Sequence, residues 1–233
     1  MPNKSPRASL KSAIYQQIAR IGQATSSPSR LELVDLLSQG PRTVEALAHQ
    51  IGQSVATTSH HLQVLRRAHL VGAEKAGLYV TYRLADPQVE EFFLELRRLA
   101  ESRLAEVRQV TRQYLEHRGA LEPVDNAELV RRVRAGEVTL IDVRPHEEYV
   151  AGHLPGAISV PLGNLPRRLR DLRKRRDIVA YCRGPYCVMS LDAVELLRRR
   201  GFRAQRLEQG VAEWRAQGWR VDTGEDRHAG GRA

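Results

Sequence analysis

Apolar positions in the first part of the chain recur with the period of a helix. Between residues 10 and 21 they stand at positions 10, 14, 18 and 21, and a second such stretch follows Ser27-Pro28-Ser29 and stops at Gly40-Pro41. Thr43 and Ser54, which are good N-cap residues, precede two further stretches over 44–50 and 54–68. The pattern predicts four consecutive helices.

The period then shortens from that of a helix to that of a strand. Residues 70–74 and 78–84 alternate around Lys75-Ala76-Gly77, which predicts a β-hairpin. Asp86-Pro87 begins an apolar stripe that predicts one long helix to about His117. Because so long a helix is unusual in a globular domain, a partner helix is expected beside it.

Beyond a short linker over 119–123, helical and strand patterns alternate. Strands are predicted over 139–143, 158–160, 178–181 and 204–207, and helices over 126–135, 147–150, 190–200 and 211–216. Such alternation is typical of a small α/β domain with a mostly parallel sheet. We therefore expect two domains, a mainly-α winged helix-turn-helix over 10–118 and an α/β domain over 122–222. Flexible tails are expected at 1–9 and 223–233.

Composition narrows the class of protein. The chain carries 37 Lys and Arg against 27 Asp and Glu, a formal net charge of +10, which favours a polyanionic partner. It has no run of about 18 apolar residues that would span a membrane, and its first residues lack the apolar core of a signal peptide. Two cysteines are too few for a disulfide scaffold. We expect a cytoplasmic protein with no metal, no cofactor and no membrane contact.

The predicted helix over 54–67 concentrates short polar side chains. In a winged helix this helix lies in the major groove of DNA, and Val55, Leu62 and Leu65 are expected to face the core. The candidate contacts with bases or phosphates are Ser54, Thr57, Thr58, His60, His61, Gln63, Arg66, Arg67, Lys75 and Tyr79.

Two alternatives remain for this helix. A winged helix can instead contact protein. His60 and His61 can instead bind metal, although adjacent helical positions diverge by about 100° and no third ligand stands three or four residues away.

At residues 58–71 the chain resembles the recognition helix of the ArsR family of bacterial repressors, and at residues 77–84 it resembles the wing of that family. The resemblance covers about residues 10–115 and rests on the phrases Thr58-Ser59-His60-His61-Leu62-Gln63-Val64-Leu65-Arg66-Arg67-Ala68-His69-Leu70-Val71 and Gly77-Leu78-Tyr79-Val80-Thr81-Tyr82-Arg83-Leu84. It implies a homodimer, formed through the first and last helices, that binds palindromic double-stranded operator DNA until an inducer relieves repression. Residues 43–50 contain no cysteine and residues 87–116 no histidine, so the metal ligands of that family's metal sensors are absent.

Both cysteines lie in one short segment between a predicted strand and a predicted helix. A cysteine at such a turn meets unpaired backbone N–H groups and the positive end of the helix dipole, and both favour the thiolate. We therefore expect Cys182 to be a partly exposed nucleophile. The loop around it consists of Arg183, Gly184, Pro185, Tyr186, Cys187 and Val188.

Five landmarks in order make the second half similar to a single rhodanese domain over about 122–222. They are Leu140-Ile141-Asp142-Val143-Arg144, Glu148-Tyr149, Gly152-His153-Leu154-Pro155-Gly156-Ala157, Tyr181-Cys182 and Gly210-Val211-Ala212-Glu213-Trp214. The resemblance implies that Cys182 holds a sulfane sulfur as a persulfide in a cradle of loop amides. Asp142, Arg144, Glu148 and His153 are expected to hold the fold rather than to react.

The loop departs from the rhodanese pattern in length and charge. Val188 stands where a cation would be useful, so phosphatase chemistry is not expected. Arg183 is expected to replace the missing charge in part, and ordinary thiosulfate turnover is in doubt.

Cys187 gives the loop a second sulfur. Five residues after Cys182, it is expected to come within bonding distance and to attack a persulfide on Cys182, which gives a disulfide and releases sulfide. The plainer alternative is that Cys187 is a buried small hydrophobe.

The resulting hypothesis is a repressor in which a sulfane-sulfur donor (polysulfide, persulfide or thiosulfate) modifies Cys182. Two alternatives stay open. One is an active sulfurtransferase joined to a DNA-binding module. The other is an arsenic or metal sensor that uses both thiolates.

Overall fold

The computed structural model describes residues 6–77, 79–116, 125–172 and 174–225. They divide into a first unit that ends at Glu95 and a second unit that begins at Leu96. The expected linker over 119–123 and the last residues, 226–233, lie outside the described part of the chain, as do Leu78 and residues 1–5.

The first unit is built from helices and a small antiparallel sheet. Its elements are α1 (Pro6–Thr25), α2 (Pro28–Ser38), β1 (Arg42–Thr43), α3 (Val44–Gln50), α4 (Val55–Arg67), β2 (Val71–Ala76), β3 (Tyr79–Leu84) and the first part of α5 (Pro87–Arg103). Helix α1 begins within the segment expected to be a flexible tail, so that expectation is wrong for residues 6–9.

Side-chain caps begin α3 and α4 at the two expected positions. The Thr43 hydroxyl accepts a hydrogen bond from the Ala46 amide at 3.3 Å, and the Ser54 hydroxyl accepts one from the Thr57 amide at 3.1 Å. The helix-turn-helix predicted from these caps is present, and the sheet that follows has the order β1-β3-β2. Strand β1 was not predicted, because two residues carry no periodic pattern.

The core of the first unit comes from the apolar stripes of α2, α3 and α4. Leu33, Leu47, Leu62 and Leu65 are fully buried. Val55, which was expected to join them, is 45% exposed. Residues 54–57, at the start of α4, are all exposed to solvent.

The long helix expected to reach His117 is interrupted at Leu104, so the prediction of one helix is wrong. Helix α5 ends at Arg103, and α6 spans Ala105–Glu116. The Arg108 side chain donates hydrogen bonds to the backbone oxygens of Glu101 and Ser102, at 2.6 and 3.2 Å. These are the carbonyls that a continuous helix would pair with the next turn, so Arg108 satisfies them where the helix breaks.

The second unit contains the end of α5, α6 and an α/β domain. The domain consists of α7 (Asn126–Arg134), β4 (Val138–Asp142), α8 (His146–Ala151), β5 (Ile158–Ser159), α9 (Leu165–Arg168), β6 (Asp177–Tyr181), α10 (Met189–Arg199), β7 (Ala204–Arg206) and α11 (Val211–Ala216). Within the described residues, its sheet has the order β5-β4-β6-β7 and every pairing is parallel, as the alternating pattern predicted.

Successive residues of β6 face opposite sides of the sheet. Ile178 and Ala180 pack in one apolar cluster, and Val179 and Tyr181 pack in the other. Cys182 continues the alternation and joins the cluster of Ile178 and Ala180. The strand period therefore turns the Cys182 side chain towards the core.

The expected C-terminal tail begins later than predicted. The Gly224 amide donates a hydrogen bond to the Val150 oxygen at 2.9 Å, and the Glu225 carboxylate lies 3.2 Å from Nε2 of His146. Residues 223–225 are thus attached to the second unit. No helix in the described part of the chain has the length and apolar character needed to cross a bilayer.

Candidate functional site

The segment Cys182–Val188, here called the cysteine loop, connects β6 to α10. Cys182 and Cys187 form a disulfide with a Cα–Cα distance of 6.4 Å. Cys182 is 1% exposed, so the expectation of a partly exposed thiol at this position is wrong for the oxidised loop. Cys187 is the half-buried member of the pair.

Helix α10 begins directly after the cysteine loop, as expected. Val188 is its N-cap residue, and no side chain in the described residues caps it. The first amides of a helix have no intrahelical acceptor, and they carry the positive end of the helix dipole. The loop sulfurs therefore lie near a helix end that favours negative charge.

The buried side chain of Arg206, on β7, donates hydrogen bonds to backbone oxygens of the cysteine loop. Its Nη2 donates to the Pro185 oxygen at 2.7 Å, to the Gly184 oxygen at 3.3 Å and to the Cys187 oxygen at 3.4 Å, while Nε donates to the Ser190 hydroxyl at 3.0 Å. Arg206 is 2% exposed, and this burial lowers its pKa from the ordinary value. Arg206 is not among the site residues predicted from the sequence, because β7 lies far from the cysteine loop along the chain.

Arg183 does not supply a free charge beside the sulfurs. Its guanidinium is bound to the Glu148 carboxylate, with Nη2 2.6 Å from Oε1 and Nε 3.1 Å from both oxygens. Glu148 is 1% exposed, so this is a largely desolvated ion pair. The expectation that Arg183 partly replaces the missing loop cation is therefore wrong, because its charge is paired with Glu148.

The remaining polar landmarks hold the fold, as the sequence analysis expected. Arg144 and Asp142 form a fully buried ion pair, with Nε 2.9 Å from Oδ1, and Arg144 also donates to the Gly152 oxygen at 2.6 Å. His153 stacks on Tyr149 with ring centroids 3.8 Å apart.

Gly210 lies against the backbone of the cysteine loop. A Cβ atom at this position would stand 2.5 Å from the carbonyl carbon and oxygen of Arg183, so only glycine fits there. The Gly210 amide donates to Oε2 of Glu213 at 2.8 Å. The other Glu213 oxygen pairs with Arg97 of α5. Gly210 and Glu213 belong to one of the five landmarks of the rhodanese pattern, but the sequence alone does not indicate this role.

Tyr186 at the tip of the loop contacts α5 within the second unit. Its hydroxyl donates a hydrogen bond to the Glu101 carboxylate, and the Arg97 guanidinium lies 5.5 Å from the centre of its ring. Glu213 and Tyr186 therefore connect the cysteine loop to the last two turns of α5.

On α4, most of the candidate DNA contacts lie on the exposed surface. His60, Gln63, Arg66 and Arg67 are exposed on the helix, and so are Ser54 and Thr57 at its start. In the hairpin, Lys75 and Tyr79 are also exposed, with Tyr79 at 62%. This surface presents donors, acceptors and positive charge together.

Thr58 does not belong to that surface. It is fully buried, so the prediction that it contacts DNA is wrong. Thr58 stands four residues before Leu62 and seven before Leu65, and it therefore falls on the buried stripe of α4. Its hydroxyl has no hydrogen-bond partner among the described residues.

His61 is half-buried at the edge of the same stripe. Burial is the main cause that lowers its pKa, followed by the nearby charges of Arg30 and His60. The rings of His60 and His61 are tilted and 6.2 Å apart. In the described part of the chain, no group of three or more His, Cys, Asp or Glu is placed to hold a metal ion.

Comparisons with known proteins match both halves of the chain. Residues 27–72 match the family described as bacterial regulatory protein, arsR family, and residues 125–217 match the rhodanese-like domain. The HTH-type transcriptional regulator Rv0324 of Mycobacterium tuberculosis is 46% identical over 215 residues, which cover 92% of this chain and 94% of that protein.

Two further proteins match one half each. A sulfurtransferase of Allochromatium vinosum is 32% identical over 97 residues, covering 41% of this chain and 89% of that protein. The homodimeric winged helix-turn-helix DNA-binding domain of Mb0332 from Mycobacterium bovis is 37% identical, covering 46% of this chain and 95% of that domain, with a TM-score of 0.40. The chain therefore belongs to the arsR family of transcriptional regulators and carries a rhodanese-like domain in its C-terminal half.

Proposed function

We propose that the protein is a repressor whose affinity for operator DNA changes when sulfane sulfur reacts at Cys182 and Cys187. The observation that carries the proposal is that both cysteines lie in one loop, joined in a disulfide, beside the uncapped start of α10. In the cytoplasm, where we place the protein, thiols are kept reduced. The dithiol is then the resting form, and the disulfide is the signal.

The proposed chemistry is an exchange at divalent sulfur. The Cys182 thiolate attacks the outer sulfur of a hydropersulfide RSSH, which forms a Cys182 persulfide and releases the thiolate RS⁻. The Cys187 thiolate then attacks Sγ of Cys182, which forms the disulfide and releases hydrosulfide. In total, two thiols are oxidised to a disulfide, and the sulfane sulfur is reduced to sulfide.

DNA recognition is assigned to α4 and the hairpin. Gln63 and His60 are exposed and can reach base edges, and Arg66, Arg67 and Lys75 can contact phosphates. The surface of α1 supports a homodimer. Leu10, Ile14 and Ile18 are 65%, 49% and 57% exposed at a helical spacing of four residues, which makes an apolar stripe suited to a second copy of this chain. A symmetric dimer would bind a palindromic operator.

Helix α5 is the element through which we propose that the loop influences DNA binding. It holds residues of both units, since the first unit ends at Glu95 and the helix runs to Arg103. Its last turns contact the loop directly through Glu101 with Tyr186, and Arg97 pairs with Glu213 of α11, whose carboxylate lies beside Gly184 of the loop. Opening or closing the disulfide changes the position of Tyr186 and so biases α5 between two states.

Mass spectrometry of the reduced full-length chain tests the chemistry. Treatment with a hydropersulfide is expected to remove the mass of two hydrogens and to release one sulfide per chain. The variant Cys187→Ser is expected to retain an added sulfur atom on Cys182, because no second thiol can displace it. An unmodified Cys182 in both proteins would contradict the proposal.

A catalytic sulfurtransferase is the second candidate, favoured by the match between residues 125–217 and the rhodanese-like domain. It predicts repeated transfer of sulfur from thiosulfate to cyanide, with an operator affinity that is indifferent to sulfur. The pairing of Arg183 with Glu148 leaves thiosulfate without that cation, which favours sensing over turnover.

A further inference from the structure

An apolar cavity adjoins Cys187 within the second unit. Its volume is about 520 Å³, which is in the range of small-molecule sites. Residues on one face of α6 form one wall and the cysteine loop forms the other. The lining includes Val107, Val110, Thr111, Pro185, Cys187 and Val188.

The charges around this cavity disfavour an anionic ligand. The titratable side chain of its described lining, apart from Tyr186 and the disulfide, is Glu106, an acid. Arg183 is engaged by Glu148, and Arg206 is buried against the loop carbonyls. An anion entering the cavity would lose water without gaining a cation, which is unfavourable.

Arginine side chains line a neighbouring cleft, whereas none is among the described residues that line the cavity itself. The described charged residues that line that cleft are four arginines and three acids: Arg97, Arg98, Arg108, Arg112, Glu101, Glu208 and Glu213. The cleft and the cavity share Val107, Thr111, Pro185 and Tyr186. Among its described lining residues Cys187 is absent, so an anion bound there does not face the disulfide. The cavity that reaches the sulfur is thus the apolar one.

We propose that this cavity binds an uncharged, apolar chain of divalent sulfur atoms, and that Cys187 is the sulfur such a donor meets first. The inference rests on the proposed function and names a donor class for it. For this class the order of attack is the reverse of the order proposed above for a hydropersulfide, with Cys187 first and Cys182 second. Cys182 is 1% exposed, whereas Cys187 lines the cavity, so the donor approaches the pair from the Cys187 side. Thiosulfate and other anions are poor donors at this site.

The reaction with a dialkyl trisulfide RSSSR shows the balance. The Cys187 thiolate attacks an outer sulfur of the trisulfide. A mixed disulfide forms between Sγ of Cys187 and the SR group, and the hydropersulfide anion RSS⁻ is released. The Cys182 thiolate then attacks Sγ of Cys187, which forms the disulfide and releases RS⁻. Two thiolates are oxidised, and the trisulfide is reduced to two anions.

Two trisulfides that differ only in charge test the donor class. Reduced full-length protein is treated with dipropyl trisulfide or with bis(2-carboxyethyl) trisulfide, and each rate of disulfide formation is divided by the rate with free glutathione. The normalised rate is expected to be at least about tenfold higher for the dipropyl compound, because the dicarboxylate must lose water in an apolar site. Equal normalised rates would overturn the inference.

Matched variants on α6 test the cavity itself. Val110→Glu places an acid in the lining and is expected to slow the reaction with dipropyl trisulfide about tenfold. Because Val110 is 65% exposed, the variant is expected to fold. Gln109→Glu adds the same charge at the exposed neighbouring position and is expected to react as the unmodified chain does. Identical rates for the two variants would overturn the inference.

Two further readouts separate the remaining outcomes. Cys182→Ser is expected to accumulate a propylthio group on Cys187. If Cys187→Ser were labelled on Cys182 at the rate of the unmodified chain, the proposed order of attack would be contradicted.

Light scattering measures the oligomeric state of Val110→Glu. If this variant changed its oligomeric state but reacted with dipropyl trisulfide at the rate of the unmodified chain, the cavity would be an interface between copies and the inference would be overturned. If the donor class fails while hydropersulfides still change operator affinity, the proposed function stands. If no sulfur donor changes that affinity, the proposed function fails, while the rates with the two trisulfides still decide the donor class of the cavity.

Discussion

The burial of Thr58 assigns this residue to the core and not to the surface that contacts DNA, and a single substitution tests the assignment. Thr58→Val keeps the shape and removes a buried hydroxyl without a partner among the described residues. The free energy of unfolding is expected to rise by about 1 kcal/mol, measured by urea denaturation. Operator affinity is expected to stay unchanged, since the side chain is fully buried.

The control for this substitution is Gln63→Ala on the exposed face of the same helix. We expect it to weaken operator binding by about 1–3 kcal/mol, the range for loss of a direct base contact. If Thr58→Val weakened operator binding as much as Gln63→Ala does, the assignment of Thr58 to the core would be wrong.

At the scale of elements, Gly210 tests whether α11 fixes the cysteine loop. A Cβ atom there would meet the Arg183 carbonyl group at 2.5 Å, so Gly210→Ala must displace the loop backbone. We expect a loss of about 1–3 kcal/mol in unfolding free energy and slower formation of the Cys182–Cys187 disulfide, measured by thiol trapping.

Gly163→Ala is the matched control, because no heavy atom lies within 4 Å of its Cβ position. It is expected to leave both quantities unchanged. Disulfide formation at the original rate in Gly210→Ala would show that the loop does not depend on this contact.

Most helices and strands were predictable from caps and apolar periods within the local sequence. The features that were missed are short elements and a helix break that a side chain stabilises. The caps at Thr43 and Ser54 and the apolar periods fixed the helix-turn-helix, and the alternation of patterns predicted the parallel sheet. The break at Leu104 was missed because the pattern of apolar residues continues through it, while Arg108 satisfies the carbonyls there. Strand β1 and helix α9 are too short to carry a period.

Some features of the candidate site were likewise predictable from local sequence, and others depend on residues that are distant along the chain. The position of both cysteines between a strand and a helix was readable from local sequence. The burial of Cys182 follows from the alternation along β6, which extends one residue beyond the strand. The role of Arg206 depends on β7, which is far from the loop along the chain, so no local pattern indicated it.

The whole molecule combines an arsR-family DNA-binding unit with a rhodanese-like domain, whose cysteine loop we propose to react with sulfane sulfur. Its net charge of +10 suits a polyanionic partner, and we propose that the charged surface of α4 makes the contact with DNA. Helix α5 carries residues of both units, and its contacts with Tyr186 and Glu213 give a local change at the disulfide a route to that helix. The proposed function requires that two chemical states of one loop differ in operator affinity.

Fluorescence anisotropy with a labelled operator, selected from random-sequence DNA by the reduced protein, tests this requirement most directly. The dissociation constant is measured before and after treatment with a sulfane-sulfur donor, for the unmodified chain and for Cys182→Ser. We predict a change on the order of 5- to 150-fold for the unmodified chain and none for Cys182→Ser. An unchanged constant in the unmodified chain, or the same change in Cys182→Ser, would contradict the account.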